Sequence, residues 1–280
     1  MIVVDDASGD GSWDYVASAF PGVHLLRSEG QGFGAACNTG VRVAENGLVL
    51  LLNNDIRPAP DFLSPLPAHF EHPEVFAVGC KFLRADGSLR GALGNRTRGE
   101  WCQGQLHLHH EMEETRLRKT CPQLYANGGA MAVRRDRFFL LGGFDSLYRP
   151  FYWEDVDLSY RAWKRGWRVL YEPASVVYHE QAASTGRLHR PQYVQAISHK
   201  NGLLFLWKNL HQRPRLAEHL ARLPRWLADD ILIEGEFVRA RALLLALTQL
   251  DEAAVRRAAA ARGAFLSDEE VLARSAASDD

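Results

Sequence analysis

Short β-branched or Leu-rich runs alternate with helical patterns through the first two-thirds of the 280-residue chain, which predicts an α/β fold with a mostly parallel sheet flanked by helices. Residues 2–4 read as a buried strand ending at Asp5-Asp6, followed by a Ser/Gly/Asp turn and a short helix near 12–20. Residues 23–27 form a second strand, and a Gly-rich loop over 30–34 opens a helix over 35–45. Leu48–Leu52 is continuously apolar, as a central strand should be, and ends at Asn53-Asn54-Asp55. The pattern then predicts a helix over 62–69, a strand over 75–83 and an irregular polar excursion over 84–123. Beyond it come a strand over 130–134 and a helix over 135–141 closed by Gly142-Gly143. A helix over 154–165 stops at Gly166, and two strands, 168–171 and 175–179, are separated by Glu172-Pro173.

From about Arg190 the pattern becomes helical and rich in Ala, Leu and Arg, over 193–210 and 215–263, with Pro214 and Pro224 as breaks and a polar tail from Ser275. The division expected is a main domain over 1–210 and a helical extension over 211–280. Amphipathic stretches in the extension suit packing on the domain; pairing with another subunit or resting on a membrane surface are the alternatives.

Composition narrows the class. A hydrophobic fraction of 46% with 24% charged residues excludes disordered and collagen-like chains. With 33 basic against 34 acidic residues the chain lacks a general electrostatic footprint for nucleic acid. Cys37, Cys80, Cys102 and Cys121 have no Cys-x-x-Cys spacing, which fits a reducing compartment. No apolar run approaches the roughly 20 residues needed to span a bilayer, and Met1-Ile2-Val3-Val4 meets Asp5-Asp6 too soon for a signal peptide. A cytoplasmic protein is expected.

Three acidic clusters stand where chemistry is carried: Asp5-Asp6, Asn53-Asn54-Asp55, and Glu154-Asp155 with Asp157. In an open α/β sheet the C-terminal strand ends share one edge, where ligands bind, so the first two clusters are expected neighbours and His179 could join them. Oxygen ligands with one imidazole suit a divalent cation such as Mn2+ or Mg2+. The plainer readings are turn formers or helix caps for the acids, an ordinary i,i+4 ion pair for Asp157 and Arg161, and a structural role for His179. His107, His109 and His110 read as a solvated loop. Gly30-Gln31-Gly32-Phe33-Gly34-Ala35 also matches a dinucleotide fingerprint, with Asp55 about 20 residues on, which keeps an oxidoreductase as an alternative.

Taken in order, several segments resemble family 2 glycosyltransferases of the GT-A fold, in particular their rhamnosyltransferase-like branch. They are Val3-Val4-Asp5-Asp6-Ala7-Ser8-Gly9-Asp10-Gly11-Ser12, Gly32-Phe33-Gly34-Ala35-Ala36-Cys37-Asn38-Thr39-Gly40, Leu51-Leu52-Asn53-Asn54-Asp55, Asn127-Gly128-Gly129-Ala130, Gly142-Gly143-Phe144-Asp145, Tyr152-Trp153-Glu154-Asp155-Val156-Asp157-Leu158 and Val176-Val177-Tyr178-His179. The resemblance implies an inverting transferase acting on a nucleotide-diphosphate sugar, with Asp155 as catalytic base. It implies that Asp5 and Asp6 touch base and ribose, and that Ser8, Gly32, Gly34, Asn38, Asn53, Asn54, Gly128, Gly129 and Glu154 surround the nucleotide sugar. Asp55, and with it His179, would hold the metal, Asn53 replacing the first Asp of the family's Asp-x-Asp motif. A dTDP-rhamnose-like or UDP-sugar donor, a saccharide or lipid-linked acceptor, surface polysaccharide synthesis and a place at the inner face of the membrane are further implications. Family members normally carry one more strand and helix ahead of the Val-Asp-Asp segment. A longer natural chain is therefore expected, with a shortened, inactive binding protein as the alternative.

Overall fold

A computed structural model describes residues 1–89, 95–179, 190–232 and 237–277, and the end of the polar tail lies outside these. Strand β1 (Ile2–Asp5) pairs in parallel with β2 (His24–Arg27), and helix α1 (Ser12–Ala19) connects them. Helix α2 (Phe33–Val43) then leads to β3 (Leu48–Leu52) and the short β4 (Ile56–Pro58). A second, six-stranded sheet has the order β3, β9 (Ala130–Arg134), β5 (Val75–Leu83), β10 (Arg168–His179), β4, with β8 (Cys121–Pro122) also on β10. Helix α3 (Leu66–His69) precedes β5, and α4 (Arg135–Leu140) follows β9.

The expected α/β class is the one adopted, but the larger sheet is mixed. β5 and β10 are parallel, while β9 runs antiparallel to both β3 and β5, and β4 and β8 run antiparallel to β10. Among the described strands β1 pairs only with β2, and β3 only with β9, so Leu48–Leu52, expected as a central strand, stands at the edge of its sheet.

Three local expectations are corrected. The excursion over 84–123 contains a regular hairpin, β6 (Thr97–Cys102) with β7 (Gln105–His110), turning at Gln103 and Gly104 in left-handed conformation. Leu106 and Leu108 alternate inward against the core while His107 and His109 face solvent, so these histidines lie on a strand rather than in a loop. Residues 168–179 are one strand whose register shifts between Glu172 and Val176, an irregularity that admits Pro173. Pro224 does not break helix α7 (Arg213–Leu232) but lies inside it, and Pro214 sits in its first turn, where its missing N–H costs nothing.

Helix α5 (Glu154–Lys164) is the element that positions the site. Acidic Glu154, Asp155 and Asp157 occupy its first turn and Arg161 and Lys164 its last, which complements the helix dipole. Asp157 does pair with Arg161 at i,i+4 spacing, as expected, but it is fully buried and the pair is one part of a larger cluster. It accepts from Arg161 Nε (2.6 Å), Lys208 Nζ (2.7 Å), Asn209 Nδ2 (2.8 Å) and the Tyr148 hydroxyl (2.8 Å). Burial alone would push this carboxyl up, but the Arg161 and Lys208 cations and the Lys208 and Asn209 hydrogen bonds hold it well below the usual range. Lys208 also reaches Asp145 Oδ2 at 2.6 Å, so one ammonium ties helix α6 (Pro191–Asn209) to both α5 and the loop before it.

The C-terminal helices α8 (Val238–Leu247), α9 (Leu250–Arg262) and α10 (Asp268–Ala276) pack on this frame, the plainer of the readings given above. Asp268, fully buried, accepts from the Tyr160 hydroxyl at 2.8 Å and the His211 and Gln212 amides at 3.0 Å, and pairs with Lys164 at 2.5 Å. Among the described residues no helix is long and apolar enough to cross a membrane. Removing one cation from a buried ion cluster typically costs about 3–5 kcal/mol. Lys208→Met should therefore lower urea-unfolding stability by roughly that amount; a loss near that of a surface substitution would show that the Asp157 cluster does not hold α5 to α6.

Candidate active site

Asp6 organises the Gly-rich loop. Its carboxylate accepts from the Gln31 amide at 3.2 Å, the Gly32 amide at 2.8 Å and the Ser28 hydroxyl. Asp5, which is buried where Asp6 is half-buried, accepts from the Ser8 amide and Arg27 Nε, both at 3.3 Å, while Ser8 itself is exposed. The loop glycines serve close packing. A Cβ on Gly32, whose φ is +91°, would lie 2.2 Å from the Pro150 carbonyl oxygen, and one on Gly34 would lie 3.0 Å from Phe144 Cβ. The Asn38 amide is consumed on both sides by the Phe144 backbone, donating to its carbonyl at 2.8 Å and accepting from its N–H at 2.9 Å. The start of α2 is thus pressed against the loop leading into α5.

Asp155 is placed by two backbone amides: Oδ2 accepts from Gly128 N at 3.0 Å and Oδ1 from Val156 N at 2.8 Å. Phe33 packs so close to Gly128 that a Cβ there would meet its ring at 2.9 Å. Gly129, the next residue, donates to Asn127 Oδ1 at 2.8 Å, and its carbonyl accepts from Asn53 N at 2.9 Å. A Cβ on Gly129 would lie 3.4 Å from the Asn53 side-chain amide and 3.6 Å from Phe82, whose ring stands edge-on to His179 at 6.2 Å. Asn54 is exposed in the turn that follows β3.

Asp55 and His179 meet directly, Oδ2 to Nε2, at 3.1 Å, because β4 pairs with the end of β10. Asp155 and this pair are therefore joined through Gly128, Gly129 and Phe82. A carboxylate oxygen and an imidazole nitrogen suit Mn2+ or Mg2+ in kind. Among the described residues no group of three or more His, Cys, Asp or Glu side chains could enclose an ion. The pair fits a cation that takes its other ligands from substrate phosphates and water, as Mg2+ usually does.

Two adjacent acids differ in environment. Burial, with the Asp155 charge added, pushes Glu154 up to about 8. Burial also raises Asp155, but the Gly128 and Val156 amides work against the rise. Burial and the neighbouring charge thus favour a proton on Glu154, while the backbone amides favour the charged form of Asp155. Phe33, Phe82 and Asn127 were not assigned roles from sequence; each acts through a glycine contact or a backbone hydrogen bond that spacing does not reveal.

The class these features define is a GT-A-type glycosyltransferase, and the comparisons agree. The family model described as "Glycosyl transferase family 2" matches residues 1–140, and the chain belongs to that family and is a transferase. It is 29% identical over 230 residues to the N-acetylglucosaminyl-diphospho-decaprenol L-rhamnosyltransferase of Mycobacterium tuberculosis, covering 74% of each chain. It is 29% identical over 205 residues to the pre-mycofactocin glycosyltransferase of the same organism, covering 71% of this chain but 40% of that one. Among solved structures, GalNAc-T7 with UDP, GalNAc and Mn2+ superposes with a TM-score of 0.59 at 20% identity, over 90% of this chain and 49% of that one, which shows a shared fold. The dinucleotide alternative gives way to the family assignment, and the Gly32 contact with Pro150 explains the look-alike motif.

Glu154 generates a pH prediction. The unfolded chain releases this proton near 4.5 and the folded one near 8, so wild-type stability falls as pH rises through that window. Glu154→Gln lacks this slope. Its thermal midpoint should gain on wild type progressively from about pH 4.5 to 8 and level off above; a pH-independent difference would refute the assignment.

Proposed function

We propose that the protein is an inverting glycosyltransferase that moves a sugar from a nucleotide-diphosphate donor to a hydroxyl of a saccharide or lipid-linked acceptor. The observation that carries this reading is Asp155, fixed by two backbone amides at the start of α5. The acceptor hydroxyl attacks the anomeric carbon as the bond to the diphosphate oxygen breaks, and its proton passes to Asp155. One base without a covalent nucleophile means a single in-line displacement, hence inversion. The N-terminal dipole of α5 keeps Asp155 ionised beforehand, while burial restores some basicity.

Asp55 and His179 would hold a Mn2+ or Mg2+ ion, which supplies charge stabilisation for the departing diphosphate. Asp5, Asp6, Ser8 and Asn53-Asn54 line the base and ribose side of the donor, and the Gly128-Gly129 turn its sugar side. Gly32, Gly34 and Asn38 act behind them, by packing. The M. tuberculosis relative is named for rhamnosyl transfer to a diphospho-decaprenol-linked sugar, which supports a dTDP-rhamnose-like or UDP-sugar donor, a lipid-linked acceptor and a role in surface polysaccharide synthesis. Residues 1–210 form the transferase domain and 211–280 its helical support, working at the inner face of the membrane.

Two substitutions test the division of roles. A positioned base contributes typically 10²–10⁴-fold, so Asp155→Asn should cut turnover by about that factor while UDP and dTDP binding stay close to wild type; near-normal turnover removes Asp155 as base. Asp55→Ala should weaken nucleotide binding measured by calorimetry with manganese by about tenfold or more, with little change in its absence. Equal weakening with and without manganese would remove Asp55 as a metal ligand.

A further inference from the structure

The segment entering α5 is held in an unfavourable backbone shape. Tyr152 and Trp153 both have left-handed conformation, with φ of 70° and 77°, although neither is glycine. Two consecutive non-glycine residues rarely adopt it unless their surroundings impose it. The Trp153 carbonyl accepts from Asp157 N at 2.8 Å, so the placement of Trp153 sets the first turn of α5, and with it Glu154 and Asp155.

What imposes the shape is one stretch of α6, far along the chain. Asn201 is fully buried, and its Nδ2 lies 2.7 Å from the Tyr148 carbonyl, 2.8 Å from that of Phe151 and 2.9 Å from that of Tyr152. Two N–H groups are thereby shared among three oxygens. Lys200, also buried, donates to the Arg149 carbonyl and to Gln249 Oε1, both at 3.0 Å. The Trp153 indole lies on Gly202 so closely that a Cβ there would meet it at 3.0 Å, and the Phe205 ring packs against it at a 40° tilt with centroids 5.2 Å apart. Successive residues of α6 thus hold Arg149, Phe151, Tyr152 and Trp153 from one side.

We propose that Asn201, with Lys200 and Gly202 beside it, is a positioning residue for Asp155: it holds the Tyr152–Trp153 turn so that the start of α5 presents the carboxylate to the Gly128 amide. The inference rests on the reading of Asp155 as base, but its structural half is measured without substrate. The three carbonyls need a donor, so a group of the same size that only accepts cannot replace the amide.

Amide hydrogen exchange of the full chain, with Asn201→Ala and Asn201→Asp against wild type, tests the hold directly. Both variants should exchange faster at residues 152–157, by about tenfold or more, with α7 and the β6–β7 hairpin unchanged. Turnover per folded molecule should fall by a similar factor at unchanged donor KM, and the acid limb of its pH profile should shift as the Asp155 surroundings change. Lys200→Met, which removes the weaker clamp and keeps the helix, should show the same pattern at smaller amplitude and serves if the Asn201 variants do not fold. Unchanged exchange at 152–157 overturns the proposal, and so does faster exchange with wild-type turnover. A wild-type protein that turns over no nucleotide sugar overturns the transferase reading instead, while the exchange data still decide whether Asn201 holds the turn.

Discussion

A buried carboxylate cannot remain charged without partners, and that requirement organises this protein. Asp157 is completely enclosed, so its charge is met by Arg161 from its own helix, by Lys208 and Asn209 from α6, and by the Tyr148 hydroxyl. No arrangement of α5 and α6 that separates these groups leaves the charge satisfied. The cluster fixes the depth of α5 against α6, and Asp155, two residues earlier on the helix, accepts from Gly128.

The same helix therefore has two electrostatic environments within its first turn. Asp157 faces cations and is held strongly ionised, whereas Glu154 has burial and a neighbouring negative charge, and holds its proton to about 8. Asp155 lies between the two regimes, with backbone amides as its partners rather than side-chain cations. A base needs such a setting, since a cation partnered as tightly as at Asp157 would leave the carboxylate too weak to accept a proton.

Around this centre, glycines mark contacts where no side chain fits. Gly32 meets the Pro150 carbonyl, Gly128 the Phe33 ring and Gly202 the Trp153 indole. Each brings a segment that carries a functional group against the loop or helix that supports it. This accounts for a Gly-rich motif that imitates a phosphate-binding fingerprint: the demand for small residues comes from the approach of two backbones, and a ligand pyrophosphate is one way among several to create it.

Much of the chain was legible before folding is considered. The apolar runs at Leu48–Leu52, Val75–Leu83 and Ala130–Arg134, the acidic start of α5 and its stop at Gly166 follow from local pattern, because period and capping are local properties. The β6–β7 hairpin was missed: Leu106 and Leu108 alternate with His107 and His109, but scattered polar residues around them hid the period. Which way β9 runs, that Pro173 is absorbed within β10, and that Asp55 touches His179 depend on strand pairing between distant residues. Nor could spacing reveal that Lys208 neutralises Asp157 or that Asn201 grips three carbonyls, since each contact exists only once α6 has packed on α5. By itself the sequence determined the elements and the order of the chemical groups. Tertiary structure decided which of those groups share a desolvated environment, because burial and partner charge, not residue type, set what a carboxylate can do.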